Sequence, residues 1–133
     1  MRRARLAIAV ALLALPSCGD DRACTLIGCD ESSAQVRLSG LPRGAVEVRV
    51  CVDDRCHTAS VLREGSVASV RLEHELGDRA RMVVDVRRRG RVIARGAAEV
   101  PVKTSRPNGP DCPPVCRLAA ARLDVASGRL EPG

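Results

Sequence analysis

Apolar and polar residues alternate through most of this chain from Ala34 onward, and a period of two predicts strands. Gln35–Leu41 alternates through Val36 and Leu38. Ala45–Val52 reads A-V-E-V-R-V-C-V, and Arg55–Leu62 follows after Asp53-Asp54. Two strands joined by that two-residue turn form a hairpin, with Val52 opposite Arg55 and Cys51 opposite Cys56. Val46, Val48, Val50 and Val52 then share one face, and Glu47, Arg49 and Cys51 share the other. Arg63-Glu64-Gly65 is a turn, and Ser66–Leu72 alternates through Ala68, Val70 and Leu72. Arg79–Arg88 puts Ala80, Met82, Val84 and Val86 on one face. Arg89-Gly90 is a turn signal. Arg91–Val102 is a further strand, with a bulge expected at Gly96 and a limit at Pro101. The Pro/Gly/Asn-rich stretch Thr104–Pro114 is a loop, Cys116–Ala126 is the last strand, and Ser127-Gly128 starts a small terminal turn.

About seven short strands with regular turns and no convincing helix define an all-β class. The pattern resembles a small antiparallel β-sandwich of immunoglobulin or fibronectin-III type. The Trp and Tyr markers of that architecture are missing, so the resemblance is one of architecture alone. The expected organisation is a signal peptide over 1–17, a tether over 18–33 and a β-sandwich domain over 34–133.

The first residues break the alternation. Arg2, Arg3 and Arg5 precede ten unbroken apolar residues, Leu6–Leu15, and then Pro16-Ser17-Cys18. A positive head, an apolar middle and a small-residue exit form a secretory signal. The apolar run is too short for a membrane span, which needs about 20 residues. Its end resembles the lipobox of bacterial lipoproteins through Leu15, Ser17 and Cys18, with Pro16 as the departure. The resemblance implies a lipid attached to Cys18, cleavage before it, and membrane anchoring in the bacterial cell envelope. The paired cysteines and the P-N-G-P-x-C-P-P-x-C segment resemble small exported proteins of high-GC bacteria, a likeness that implies no activity.

Composition is read after that signal is set aside. The formal charge of +6 rests on 22 basic and 16 acidic residues. Loss of the three signal arginines leaves about +3, an ordinary value. Lys103 is the only lysine, and the Arg excess agrees with a GC-rich genome. Phe, Tyr and Trp are absent. Carbohydrate and single-stranded nucleic-acid sites therefore lack their usual stacking platforms, and no nucleic-acid partner is expected. The core must be aliphatic and thin.

Seven cysteines are present. If Cys18 carries lipid, the other six suffice for three disulfides in an oxidising compartment. The hairpin register makes Cys51–Cys56 one pair, on the polar face and outside the core. Polyproline geometry would carry Cys112 and Cys116 about 12 Å apart, beyond disulfide reach, unless a cis proline folds the segment back. The default is two bridges from Cys112 and Cys116 to Cys24 and Cys29, in either order. Such bonds tie the tether to the last strand and staple a thin core. A zinc site is the weaker reading, because no C-x2-C pair occurs.

Candidate chemistry is sparse. His57 follows Cys56, but strand neighbours point to opposite faces, so no Cys–His dyad forms. His57 is expected as a partly buried packing residue. His74 sits in Glu73-His74-Glu75, read as a solvated charged loop. Asp53-Asp54 and Asp20-Asp21 read as turn and tether residues. No Ser-His-Asp triad, G-x-S-x-G elbow or Gly-rich phosphate loop is specified. The best surface feature is Arg87, Arg88, Arg89 and Arg91 at a hairpin tip, suited to anionic polymers or lipid headgroups. The expectation is a non-enzymatic, lipid-anchored envelope protein with an interaction or structural role and no cofactor or metal. Its partners would be the membrane through the lipid, and anionic lipid, cell-wall polymer or an envelope protein through its surface. The alternatives are a ligand- or metal-binding lipoprotein using His57, His74 or reduced Cys, and a soluble secreted β-domain if Cys18 is not acylated.

Overall fold

The computed structural model describes residues 24, 27–29, 32–62 and 67–133. The expected signal over 1–17, Cys18, most of the tether, Asp20-Asp21 and the Arg63-Glu64-Gly65 turn lie outside the described residues. Eight strands follow in order: β1 Ser32–Ser39, β2 Ala45–Val52, β3 Arg55–Leu62, β4 Val67–Glu73, β5 Arg79–Arg88, β6 Arg91–Ser105, β7 Cys116–Asp124 and β8 Arg129–Pro132. No helix occurs among the described residues, so none is long and apolar enough to cross a membrane.

The strands form one continuous hydrogen-bonded path, β3-β2-β5-β6-β7-β1-β4, with β8 added on β7. The path curls into a nearly barrel-shaped sheet. Its two edge strands, β3 and β4, line a common cleft. All neighbouring pairs are antiparallel except β1 and β7, which run parallel from Ser32↔Arg117 to Ser39↔Asp124. That pairing joins segments more than eighty residues apart.

Strand alternation builds the core directly. Val46, Val48, Val50 and Val52 from β2 are buried, and so are Ala80, Met82, Val84 and Val86 from β5. Ala34, Val36 and Leu38 from β1 meet them with Ala119, Ala121 and Leu123 from β7. Each Val, Leu or Met side chain contributes roughly 1.5–3 kcal/mol when fully buried, the alanines less, and no aromatic is among them.

β6 is the element that bends the path. Its residues 91–101 pair with β5, and Val102–Ser105 pair with β7. Pro101 was expected to limit this strand, yet the strand runs four residues past it. Pro101 sits where the pairing changes partner, and a residue without an N–H is tolerated there. Val102 resumes by donating to the Asp78 carbonyl at 3.0 Å. The bulge is also not at Gly96, which pairs in register with Val84. The register shifts between Val86 and Arg87, opposite Ala94 and Val92. Gly96 serves close packing instead: a Cβ there would lie 2.7 Å from Leu130 Cβ and 2.9 Å from Leu123 Cδ1. The expected terminal turn is followed by a strand. β8 pairs with Ala121–Asp124, beyond the part of β7 that β6 pairs.

Three disulfides join Cys24 to Cys112, Cys29 to Cys116 and Cys51 to Cys56. They mark an oxidising, non-cytoplasmic location. The Cys51–Cys56 bond crosses the β2–β3 hairpin in the register the sequence implies, with Cα atoms 3.9 Å apart.

Candidate functional site

The β5–β6 hairpin tip presents the arginine cluster. Arg88 pairs with Arg91 and leaves Arg89-Gly90 as a two-residue turn. Both turn residues have positive φ, 50° at Arg89 and 76° at Gly90. That backbone fits the right-handed twist of the flanking strands, and it normally selects Asn or Gly first. An arginine there costs on the order of 1 kcal/mol in backbone energy.

Arg88, Arg89 and Arg91 are exposed, and Arg87 is half-buried. Arg87 lies opposite Glu47 of β2. Its Nε is enclosed and has no hydrogen-bond partner among the described residues. Arg87, Arg89, Gly90, Glu47 and Ser60 line an open hollow of about 440 Å³. Arg43, two residues before β2, is exposed at the same end of the sheet. The tip therefore gathers five guanidinium groups, four of them on exposed residues, with Glu47 opposite Arg87 in the register. This arrangement suits multidentate contact with phosphate or carboxylate oxygens.

A charged row lies one rung along the strands. Asp85 stands between Arg49 on β2 and Arg95 on β6. It is only 5% exposed although it is on the outer face of the sheet. Arg95 Nε lies 3.0 Å from its Oδ1. The N–H is not aligned with that oxygen, so the contact is an ion pair and not a formed hydrogen bond. The sequence reading missed Asp85. The only signal is an acidic residue inside the strongly apolar Met82–Val86 run.

The second locality is the cleft between the edge strands. Arg55, Cys56 and His57 from β3 face Arg71, Leu72, Glu73 and His74, enclosing about 390 Å³. Both histidines of the chain line it. Each departs from expectation. His57 shares the core-facing side of β3 with Ala59 and Val61 but is exposed, because it lies on an edge strand. His74 is not a solvated loop residue: its side chain is 7% exposed and its Nε2 lies 3.8 Å from Asp53 Oδ2. Asp53 keeps its turn role at φ 53°, accepting from the Arg81 N–H at 3.0 Å. Cys56 is held in a disulfide, which removes it as a nucleophile or thiolate ligand. No group of three or more metal-type ligands occurs among the described residues.

The third locality is the base, where the segment after the expected signal is fastened. Asn108, from the Pro-Asn-Gly turn, brackets Ile27 on both sides. Its Oδ1 accepts from Ile27 N at 3.1 Å, and its Nδ2 donates to Ile27 O at 3.0 Å. Nδ2 also donates to Pro113 O at 2.6 Å. With the bonds from Cys24 and Cys29, this fixes the segment to the loop before β7. Arg117 closes the same end by donating to Gly77 O at 2.8 Å and Asp78 Oδ1 at 3.2 Å.

No family model, curated protein or solved structure matches this chain.

Proposed function

We propose that this chain is an exported lipoprotein of the bacterial cell envelope, anchored through Cys18, whose β-domain performs no chemistry and binds anionic groups through Arg87, Arg88, Arg89 and Arg91. The observation that carries the reading is the cysteine pairing. Six of the seven cysteines bond among themselves, and the one left over is Cys18, at the end of the signal-like segment. The left-handed backbone at Arg89 supports the surface assignment, since Asn or Gly would fill that position at lower cost. Within this proposal the domain is a member of the immunoglobulin or fibronectin-III-like sandwiches. The partner change along β6 supports that relation, because it divides the path into two groups of strands.

Expression with the native signal tests the anchor. The Cys18→Ser variant should move from the membrane fraction to the soluble fraction, and the mature wild-type chain should begin at Cys18 with the mass of an attached lipid. Retention of the variant in membranes refutes the anchor. The tip is tested separately: binding to anionic polymer should weaken steeply with salt and vanish on charge removal.

A second reading is a ligand-binding lipoprotein that uses the cleft between β3 and β4. One observation favours it, the convergence of His57 and His74 on the same space. Chemical-shift changes at both imidazoles on addition of a small anion would support it, and unaltered imidazole signals would remove it.

A further inference from the structure

The anchor and the arginine tip lie at opposite ends of the domain. β5 runs from Arg79 at one end to Arg88 at the other, and β6 returns from Arg91 to Ser105. Ser105 pairs with Cys116, which is bonded to Cys29, and Cys112 holds Cys24 nearby in sequence. The tether is therefore fastened at the Ser105 end. The nine residue steps of β5 alone separate that end from the tip by about 30 Å at roughly 3.3 Å per step. Only six steps connect Cys18 to Cys24, a reach of at most ~20 Å. Charge screening at physiological salt acts over about 8 Å.

The charge distribution follows the same axis. At the tip stand Arg43 and the four hairpin arginines, with Glu47 opposite Arg87 in the register. The base is mixed: Arg117 pairs with Asp78 and Arg79 with Glu99, and Asp53-Asp54 form the turn before Arg55. A domain built to lie on its own anionic membrane would carry its excess of cations at the tethered end; here Arg55, Arg79, Arg81 and Arg117 at that end are interspersed with carboxylates, and the excess stands at the far end.

We propose that the Arg87–Arg91 tip faces away from the membrane that holds the chain and captures a polyanionic polymer standing off from that membrane. The lipid headgroups of the anchoring bilayer are not its ligand. This rests on the reading of Cys18 as the anchor, and it narrows the partner from anionic groups in general to a phosphate- or carboxylate-bearing polymer. The recognition is by charge and multidentate guanidinium contact, without reading of sequence or sugar.

The test uses the acylated full chain in phosphatidylcholine vesicles, with long-chain inorganic polyphosphate as probe. Vesicle-bound protein should capture polyphosphate, and capture should fall at least tenfold when Arg87, Arg89 and Arg91 are all changed to Gln. The triple Lys variant should retain most of the capture, which separates charge from a folding defect. Adding phosphatidylglycerol to the same vesicles should leave capture intact, and should leave the tip arginines open to an arginine-specific reagent. Protection of the tip by phosphatidylglycerol, with polyphosphate capture lost, overturns the proposal in favour of the anchoring membrane. Equal capture by the wild type and the Gln variant overturns the role of the tip. Protein that fails to float with vesicles overturns the anchor reading, and with it the orientation, while polyphosphate binding in solution still reports on the tip.

Discussion

Three residues show how single side chains meet the demands of a curled sheet. Arg89 occupies a left-handed position that Asn fills more readily. Arg89→Asn should stabilise the domain by about 1 kcal/mol, a rise of several degrees in thermal midpoint. The same change should weaken polyphosphate binding, so stability and binding move in opposite directions. Gly96 lies under Leu130 and Leu123 with no room for a methyl group. Gly96→Ala should destabilise by roughly 1–3 kcal/mol in a denaturant titration through overpacking. Asp85 is buried and relies on Arg95, whereas Glu99 and its partner Arg79 are both exposed. Arg95→Ala should therefore cost more than Arg79→Ala, which should stay below ~1 kcal/mol. Equal losses would show that Asp85 draws nothing from its ion pair.

At the scale of elements, the hairpin β2–β3 and the strand β6 behave differently. The hairpin is set locally. A two-residue turn fixes the register, the register puts Cys51 against Cys56, and four valines face the core. β6 is set by its neighbours. It leaves β5 at Pro101 and takes up β7 at Val102, and β8 pairs with the remainder of β7. β8 is short, yet its Leu130 packs against Gly96 and is buried. Leu130→Ala should open a void beside Leu123 and cost about 2–5 kcal/mol, measured as a shift in unfolding midpoint. A loss below 1 kcal/mol would mean that β8 is not part of the cooperative unit.

For the molecule as a whole, stability depends on staples because the core has no aromatic side chain. The Cys24–Cys112 and Cys29–Cys116 bonds close separations of 88 and 87 residues. In the chain-entropy model either one contributes about 4 kcal/mol or more, against about 2 for the short Cys51–Cys56 loop. The two long bonds constrain nearly the same loop, so the second adds much less than the first. Removing one long pair by Cys→Ser at both ends should therefore cost less than half the loss from removing both. Strict additivity in thermal unfolding would contradict the shared-loop geometry. The same bonds hold Cys24 and Cys29 at one end of the domain, opposite the arginine tip.

Strand periodicity, the β2–β3 register and the turn at Arg89-Gly90 were legible in the sequence, and bridges from Cys24 and Cys29 to Cys112 and Cys116 were its default, with the order supplied by the structure. Those features depend on alternation, short turns and counting, which act over a few residues or on the whole chain at once. The tertiary structure decided the order of strands, the bend of β6 and the closeness of β3 to β4. These rest on pairings such as β1 with β7, between segments far apart in sequence, for which no local pattern exists. For that reason alternation alone makes His57 a packing residue and His74 a loop residue, although the curl of the sheet brings them to one cleft. For the same reason the sequence located Cys24, Cys29 and the arginine cluster, but only the strand directions put them at opposite ends.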